Sequence, residues 1–155
     1  MPNFTTVNPF GSEIDYSEVG DLYKWRFIET LDCSTITDTT TVNLSGYNEV
    51  KIVFKNVGHS ANMNVTTAGG TAGTYNSTKE DNGVVTDTMS FDYWIFSQAG
   101  FLNGEIHFYK DGTYTSWVGM AIETGNYRLI GGKCTGEFTT FTFPSNSGNI
   151  EVYAR

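Results

Sequence analysis

The sequence predicts an all-β protein: a two-layer antiparallel β-sandwich, jelly-roll-like, built from eight to ten short strands, with a closed barrel as the runner-up. Three observations predict it. The 155 residues include only 6 Ala and 5 Leu against 22 Thr, 17 Gly, 13 Asn and 11 Ser, a composition poor in helix formers. The apolar residues are almost all β-branched or aromatic (11 Val, 9 Ile, 11 Phe, 9 Tyr, 3 Trp), the types that fit a pleated, half-buried surface. Turn dipeptides recur at short intervals, at Ser45-Gly46, Asn82-Gly83, Asn103-Gly104, Asp111-Gly112, Gly131-Gly132 and Ser147-Gly148, with no helical crossover between them.

Taken in order, the strands follow from those turns. Leu22–Leu31 and Thr35–Leu44 precede the Ser45-Gly46 turn. Glu49–Val57 alternates Val50, Ile52 and Phe54 with Lys51 and Lys55, a period of two. Asn62–Thr66 follows, and then Thr67–Gly83, rich in Gly, Thr, Asn and Ser, reads as a loop. Val84–Phe96 resumes the strand pattern after Asn82-Gly83. Glu105–Lys110 and Thr113–Ile122 flank Asp111-Gly112 as a hairpin. Tyr127–Cys134, Phe138–Phe143 and Asn149–Tyr153 complete the set. Residues 1–21, with Pro2, Pro9 and a run of acidic positions, read as an N-terminal arm, leaving 22–155 as one β-sandwich domain.

Charge and motifs exclude several functions. With 17 acidic against 9 basic residues the chain carries −8, which opposes binding to phosphate backbones, so no nucleic-acid partner is expected. No run approaches the ~18 consecutive apolar residues of a membrane span, and no membrane partner is expected. Met1 to Phe10 lacks the basic and apolar regions of a secretion signal. The chain has no G-x-S-x-G, no H-E-x-x-H, no glycine-rich phosphate loop and no EF-hand pattern, and His59 and His107 have no partner motif. No catalytic residue, metal ligand or cofactor is therefore assigned, and the expected protein is not an enzyme. Glu80, Asp81, Asp87 and Asp92 cluster in sequence and are the one place where a carboxylate pair or a calcium site can be imagined; solvated loop acids are the plainer reading. Cys33 and Cys134 are too few for a disulfide framework and read as buried free thiols. Four N-x-S/T sequons, at Asn3, Asn43, Asn64 and Asn76, are what chance gives in so Asn- and Thr-rich a chain.

The hairpin at Asp111-Gly112 carries the functional signal. A two-residue turn pairs Lys110 with Thr113 and Tyr109 with Tyr114. Ile106, Phe108, Trp117 and Ala121 then line one face, while His107, Tyr109, Tyr114, Val118, Met120 and Ile122 line the other. Both faces are apolar, and unless the register slips or bulges the second needs a cover from another subunit, another segment of the chain or a ligand; with a subunit as the cover, Val118, Met120 and Ile122 are the expected oligomer contacts. Aromatic rings on a rigid sheet can stack on sugars or anchor interfaces. Trp94, set opposite Phe91, Tyr93 and Ile95 by alternation, joins Tyr109, Tyr114 and Tyr75 as the expected ligand contacts, Tyr75 from the glycine-rich loop.

The runs Trp25-Arg26-Phe27, Leu44-Ser45-Gly46-Tyr47-Asn48-Glu49-Val50 and Gly148-Asn149-Ile150-Glu151-Val152-Tyr153 resemble small β-sandwich modules of bacteriophage tail-fibre, receptor-binding and head-appendage proteins, over residues 22–155. The resemblance implies a non-enzymatic virion protein, assembled in the bacterial host cytoplasm and displayed as a tail or head appendage. It also implies a homotrimer whose partners are other virion proteins and a host-surface glycan or protein. The motifs are structural, so no binding residue transfers. A capsid decoration protein binding other virion proteins is the alternative, and a carbohydrate-binding module or small glycosidase is a further one.

Overall fold

The computed structural model describes residues 24–34, 37–59, 64–91, 93–95, 100–123, 126–145 and 147–155. The expected arm, residues 1–21, lies outside the described residues. Among the described residues twelve strands are formed: β1 (Arg26–Asp32), β2 (Thr37–Thr40), β3 (Glu49–His59), β4 (Asn64–Ala68), β5 (Tyr75–Asp81), β6 (Val84–Phe91), β7 (Tyr93–Ile95), β8 (Gly100–Lys110), β9 (Tyr114–Glu123), β10 (Asn126–Thr135), β11 (Thr140–Ser145) and β12 (Ser147–Ala154). They make an eight-stranded sheet in the order β1-β12-β3-β8-β9-β10-β5-β6 and a four-stranded sheet in the order β2-β11-β4-β7, antiparallel throughout. Neither sheet closes on itself, so the fold is the sandwich and not the barrel.

The differences from the sequence reading have local causes. Twelve strands replace eight to ten because two segments were misread. The Thr67–Gly83 loop is largely strand: β5 pairs on one side with β10 and on the other with β6, and Tyr75 and Ser77 alternate inward. The Val84–Phe96 run is two strands in different sheets, β6 at the edge of the large one and β7 at the edge of the small one. Asn82-Gly83 does turn the β5–β6 hairpin, with φ of 48° and 87°, as a two-residue turn of this chemistry requires.

Asn103-Gly104 and Gly131-Gly132 are not turns but lie inside β8 and β10. Glycine serves packing there. A Cβ on Gly132 would sit 2.5 Å from the Trp117 ring and 2.4 Å from the Asn76 carbonyl oxygen. The Asp111-Gly112 hairpin is wider than two residues: Lys110 pairs with Thr115 and Tyr109 with Ser116. That slip of two keeps side chains on their expected faces, because the pleat repeats every two residues.

Rings fill the space between the sheets. Phe138, in the segment linking β10 to β11, stacks on Tyr75 (centroids 5.7 Å apart) and on Trp117 (5.8 Å). Phe108 meets Phe141 at 4.5 Å, and Phe54 meets Phe143 edge-on at 5.8 Å. Ile52, Leu102, Ile106, Ile150 and Val152 complete the large sheet's inner face. Cys33 and Cys134 are buried and unpaired with each other.

The two adjacent glycines of β10 give a matched test. Gly132→Ala should cost about 1–3 kcal/mol by overpacking against Trp117, whereas Gly131→Ala, whose Cβ would meet nothing nearer than a backbone oxygen at 3.6 Å, should change stability by less than ~1 kcal/mol. Urea melts of both variants compare them directly.

Candidate contact face

The outer face of the large sheet is built in rows, because antiparallel register places residues of adjacent strands side by side on one face. The first row runs Glu49, Tyr109, Ser116, Lys133, Asn76 across β3, β8, β9, β10 and β5. The second runs Lys51, His107, Val118, Gly131, Thr78, and the third Val53, Glu105, Met120, Leu129, Glu80. A fourth runs Asn103, Ile122, Tyr127. The middle of this face is apolar and open to solvent: Val118 is 56% exposed, and Met120 and Ile122 are 59% exposed each. Leu129 and Tyr127 extend the patch onto β10. Between the second and third rows lies an open groove of about 280 Å³ lined by Glu105, His107, Val118, Gly119, Met120 and Leu129.

Of the residues singled out from sequence, Val118, Met120, Ile122, Tyr109 and Tyr114 stand together on this face, all exposed. Tyr114 lies one step beyond the first row, with the Lys133 ammonium 5.8 Å from its ring centre. Tyr75 is a correction. It is on a strand and not in a loop, its ring is only 3% exposed against Phe138, and its hydroxyl hydrogen-bonds with that of Thr67, so it is core. Trp94 lies on β7 of the other sheet, opposite Val65, and is not brought to this face by the backbone; its side chain lies outside the described residues.

Sequence reasoning missed Leu129 and Tyr127. In the Tyr-Arg-Leu-Ile run of β10 the buried positions are Arg128 and Ile130, so inward Arg and outward Leu erase the alternation. Trp25 was also missed as part of the face. Its ring lies edge-on to His107 at 5.4 Å, under the Arg155 guanidinium at 4.7 Å and the Lys51 ammonium at 5.2 Å. Arg155 in turn donates to the Glu49 carboxylate at 2.7 and 3.0 Å, tying the last described residue to β3.

Electrostatics on this side are structural. Glu105 and His107, neighbours along β8, pair at 3.0 Å. Lys55 hydrogen-bonds Glu151, which holds the Glu151 carboxyl below its ordinary range, and the Tyr153 hydroxyl donates to the same carboxylate and is pushed up by it. Tyr127 is raised likewise by donating to Glu80 at 2.9 Å, so Glu80 is engaged within the sheet. Its sequence neighbours Asp81, Asp87 and Asp92, where a calcium site was imagined, have side chains outside the described residues. Among the described residues no three His, Cys, Asp or Glu side chains converge as metal ligands would.

The turn that positions Tyr109 and Tyr114 is held by charge. The Asp111 carboxylate accepts backbone N–H bonds from Thr113 and Tyr114 at 2.9 and 2.7 Å, which lower its pKa, and Glu137 accepts from Gly112 at 2.7 Å. Behind it Lys110 is buried and donates to the carbonyls of Leu44 and Phe138 at 2.7 and 3.2 Å; burial pulls its pKa down.

A comparison of the chain with protein-family models, curated proteins and solved structures returns no match.

Two outcomes follow from this geometry. Lys110→Met should cost about 2 kcal/mol or more, because two carbonyls facing the interior lose a charged donor, readable in denaturant melts. Asp111 binds fewer protons folded than unfolded, so its contribution is full above the ordinary carboxylate value of about 3.9 and fades as pH falls through its lower folded value. Asp111→Ala should therefore lower Tm at neutral pH, and the gap to wild type should shrink in thermal melts taken at successively more acid pH.

Proposed function

We propose that this chain is a non-enzymatic structural component of a bacteriophage particle, a displayed tail or head appendage that works through the outer face of its large sheet. One observation carries the reading: a folded sandwich with a buried apolar core of its own still presents Val118, Met120, Ile122, Leu129 and Tyr127 side by side to solvent. Monomeric proteins seldom expose contiguous apolar patches beyond a few hundred Å², and larger ones mark interaction sites. The resemblance of the Trp25-Arg26-Phe27, Leu44–Val50 and Gly148–Tyr153 runs to phage appendage modules supplies the biological setting.

The face has two chemical parts. Its centre is aliphatic, which suits protein contact: other virion proteins or further copies of the chain. Its hairpin end is amphipathic, with Tyr109 and Tyr114 beside Ser116 and Lys133, the mixture that stacks on a sugar and hydrogen-bonds its hydroxyls. A host-surface glycan is the ligand proposed there. The capsid-decoration reading shares the aliphatic centre and needs no glycan.

A glycan array probed with wild type, Tyr109→Ala and Tyr114→Ala tests this. Binding to a bacterial-surface glycan, weakened roughly three- to tenfold in each variant, is the expected result, since loss of one stacking ring is worth about 0.5–1.5 kcal/mol. Absence of any glycan signal favours decoration, and cleavage of an arrayed glycan would replace the reading with a glycosidase.

A further inference from the structure

The second and third rows of the outer face complement each other. Each of β8, β9 and β10 contributes one residue to each row: His107 and Glu105, Val118 and Met120, Gly131 and Leu129. Consider a second copy laid face to face, related by a two-fold axis in the plane of contact, perpendicular to the strands and midway between these rows. Every residue then meets the other member of its own strand's pair. His107 meets the partner's Glu105, Val118 packs on the partner's Met120, and the partner's Leu129 comes down over Gly131. Each contact is made twice, as an isologous interface requires.

Shape and charge both favour this arrangement. Gly131 leaves a gap on the outer side: a Cβ there would meet no atom nearer than the Trp117 carbonyl oxygen at 3.6 Å, while Leu129, two residues earlier, stands 39% exposed. A projection and a recess therefore lie at equal distances from the axis. In the same register Lys133 comes over the partner's Tyr127, Glu80 over Thr78 and Lys51 over Val53, so in these pairs no charge directly faces a like one. The extent fits as well. Five strands at ~4.8 Å and seven residues at ~3.4 Å cover roughly 24 by 24 Å, which with side-chain relief approaches the ~800 Å² that each partner gives to a standard interface.

From this we infer that a second copy of the chain covers the outer face of the large sheet, in a two-fold pairing with Leu129 of each protomer seated over Gly131 of the other. The inference deepens the contact-face reading above and rests on it, and it replaces the three-fold assembly that the phage resemblance implies. The first row, with Tyr109, Ser116 and Lys133, faces the partner's fourth row and is covered, so in the pair Tyr114, beyond that row, is the hairpin tyrosine left open to a ligand, and Tyr109→Ala weakens glycan binding only where the chain is monomeric.

Sedimentation velocity on the full chain should show a dimer. A monomer at all concentrations up to about 100 μM, weaker than ~5.5 kcal/mol of association, or a trimer, overturns the pairing. Gly131→Asp places a charge in the recess at a position with room for it, and should sediment as a monomer with near-UV circular dichroism unchanged; a persistent dimer overturns the seating of Leu129. Should that variant misfold, cross-linking decides. Val118→Cys protein and Met120→Cys protein, mixed and oxidised, should give several-fold more disulfide-linked pairs than either alone, the native Cys33 and Cys134 being buried. Equal yields with and without mixing overturn the axis. A confirmed dimer without glycan binding would leave this pairing intact and remove the glycan-binding role, and glycan binding by a monomer would do the reverse.

Discussion

The contact of Phe138 with Tyr75 and Trp117 is the constraint on which the rest of the structure depends. It lies where the large sheet meets the chain's passage from β10 to β11, so it sets how β11 crosses into the second layer before β12 returns to the first. Three large rings in one layer need space, and the backbone supplies it where Gly132 passes beneath Trp117 and Gly70 approaches Tyr75 and Phe138. Gly132, inside β10, gives up some strand propensity so that the Trp117 ring can lie against main chain. Among the described residues the inner faces are lined by buried apolar side chains, and the apolar residues of the outer face point away from them.

Around this layer, polar groups are placed to satisfy main chain. Lys110 extends from the core face of β8 and closes two carbonyls, those of Leu44 and of Phe138 itself, so the segment holding the central ring is pinned by an ammonium. Thr115 does similar work from β9: its hydroxyl donates to the Gly136 carbonyl and accepts from the Phe138 N–H. The hairpin that carries Tyr109 and Tyr114 is thus anchored on its inner side by Lys110 and Thr115 and at its tip by Asp111. A contact surface built on such a turn is preorganised, which lowers the ordering cost of any partner it meets.

Function then follows from what the fold leaves over. On the outer face of β9, aliphatic side chains recur at alternate positions, bordered by the Glu105–His107 hydrogen bond on one side and by Gly131, without a side chain, on the other. The proposed contact surface holds, among the described residues, no three His, Cys, Asp or Glu side chains that converge as metal ligands would. The chemistry of the patch changes from aliphatic at its centre to tyrosine and lysine at the hairpin end, so one sheet can hold a protein contact and a ligand contact side by side.

Much of this was legible in the residues alone. The all-β class, the two-sided apolar hairpin and the grouping of Tyr109, Tyr114, Val118, Met120 and Ile122 on one face follow from composition and a period of two, which hold in any register that slips by two. Other features were invisible because they depend on neighbours distant in sequence. Tyr75 reads as a loop residue until β10 is beside it, Gly131-Gly132 reads as a turn until Trp117 is above it, and Val84–Phe96 reads as one strand until its two parts pair with different sheets. The sequence by itself determined which side chains share a face, since local backbone geometry dictates alternation. Only the tertiary structure decided which face is inside and which strands adjoin, since burial and strand pairing are settled by contacts between segments that the chain brings together from far apart.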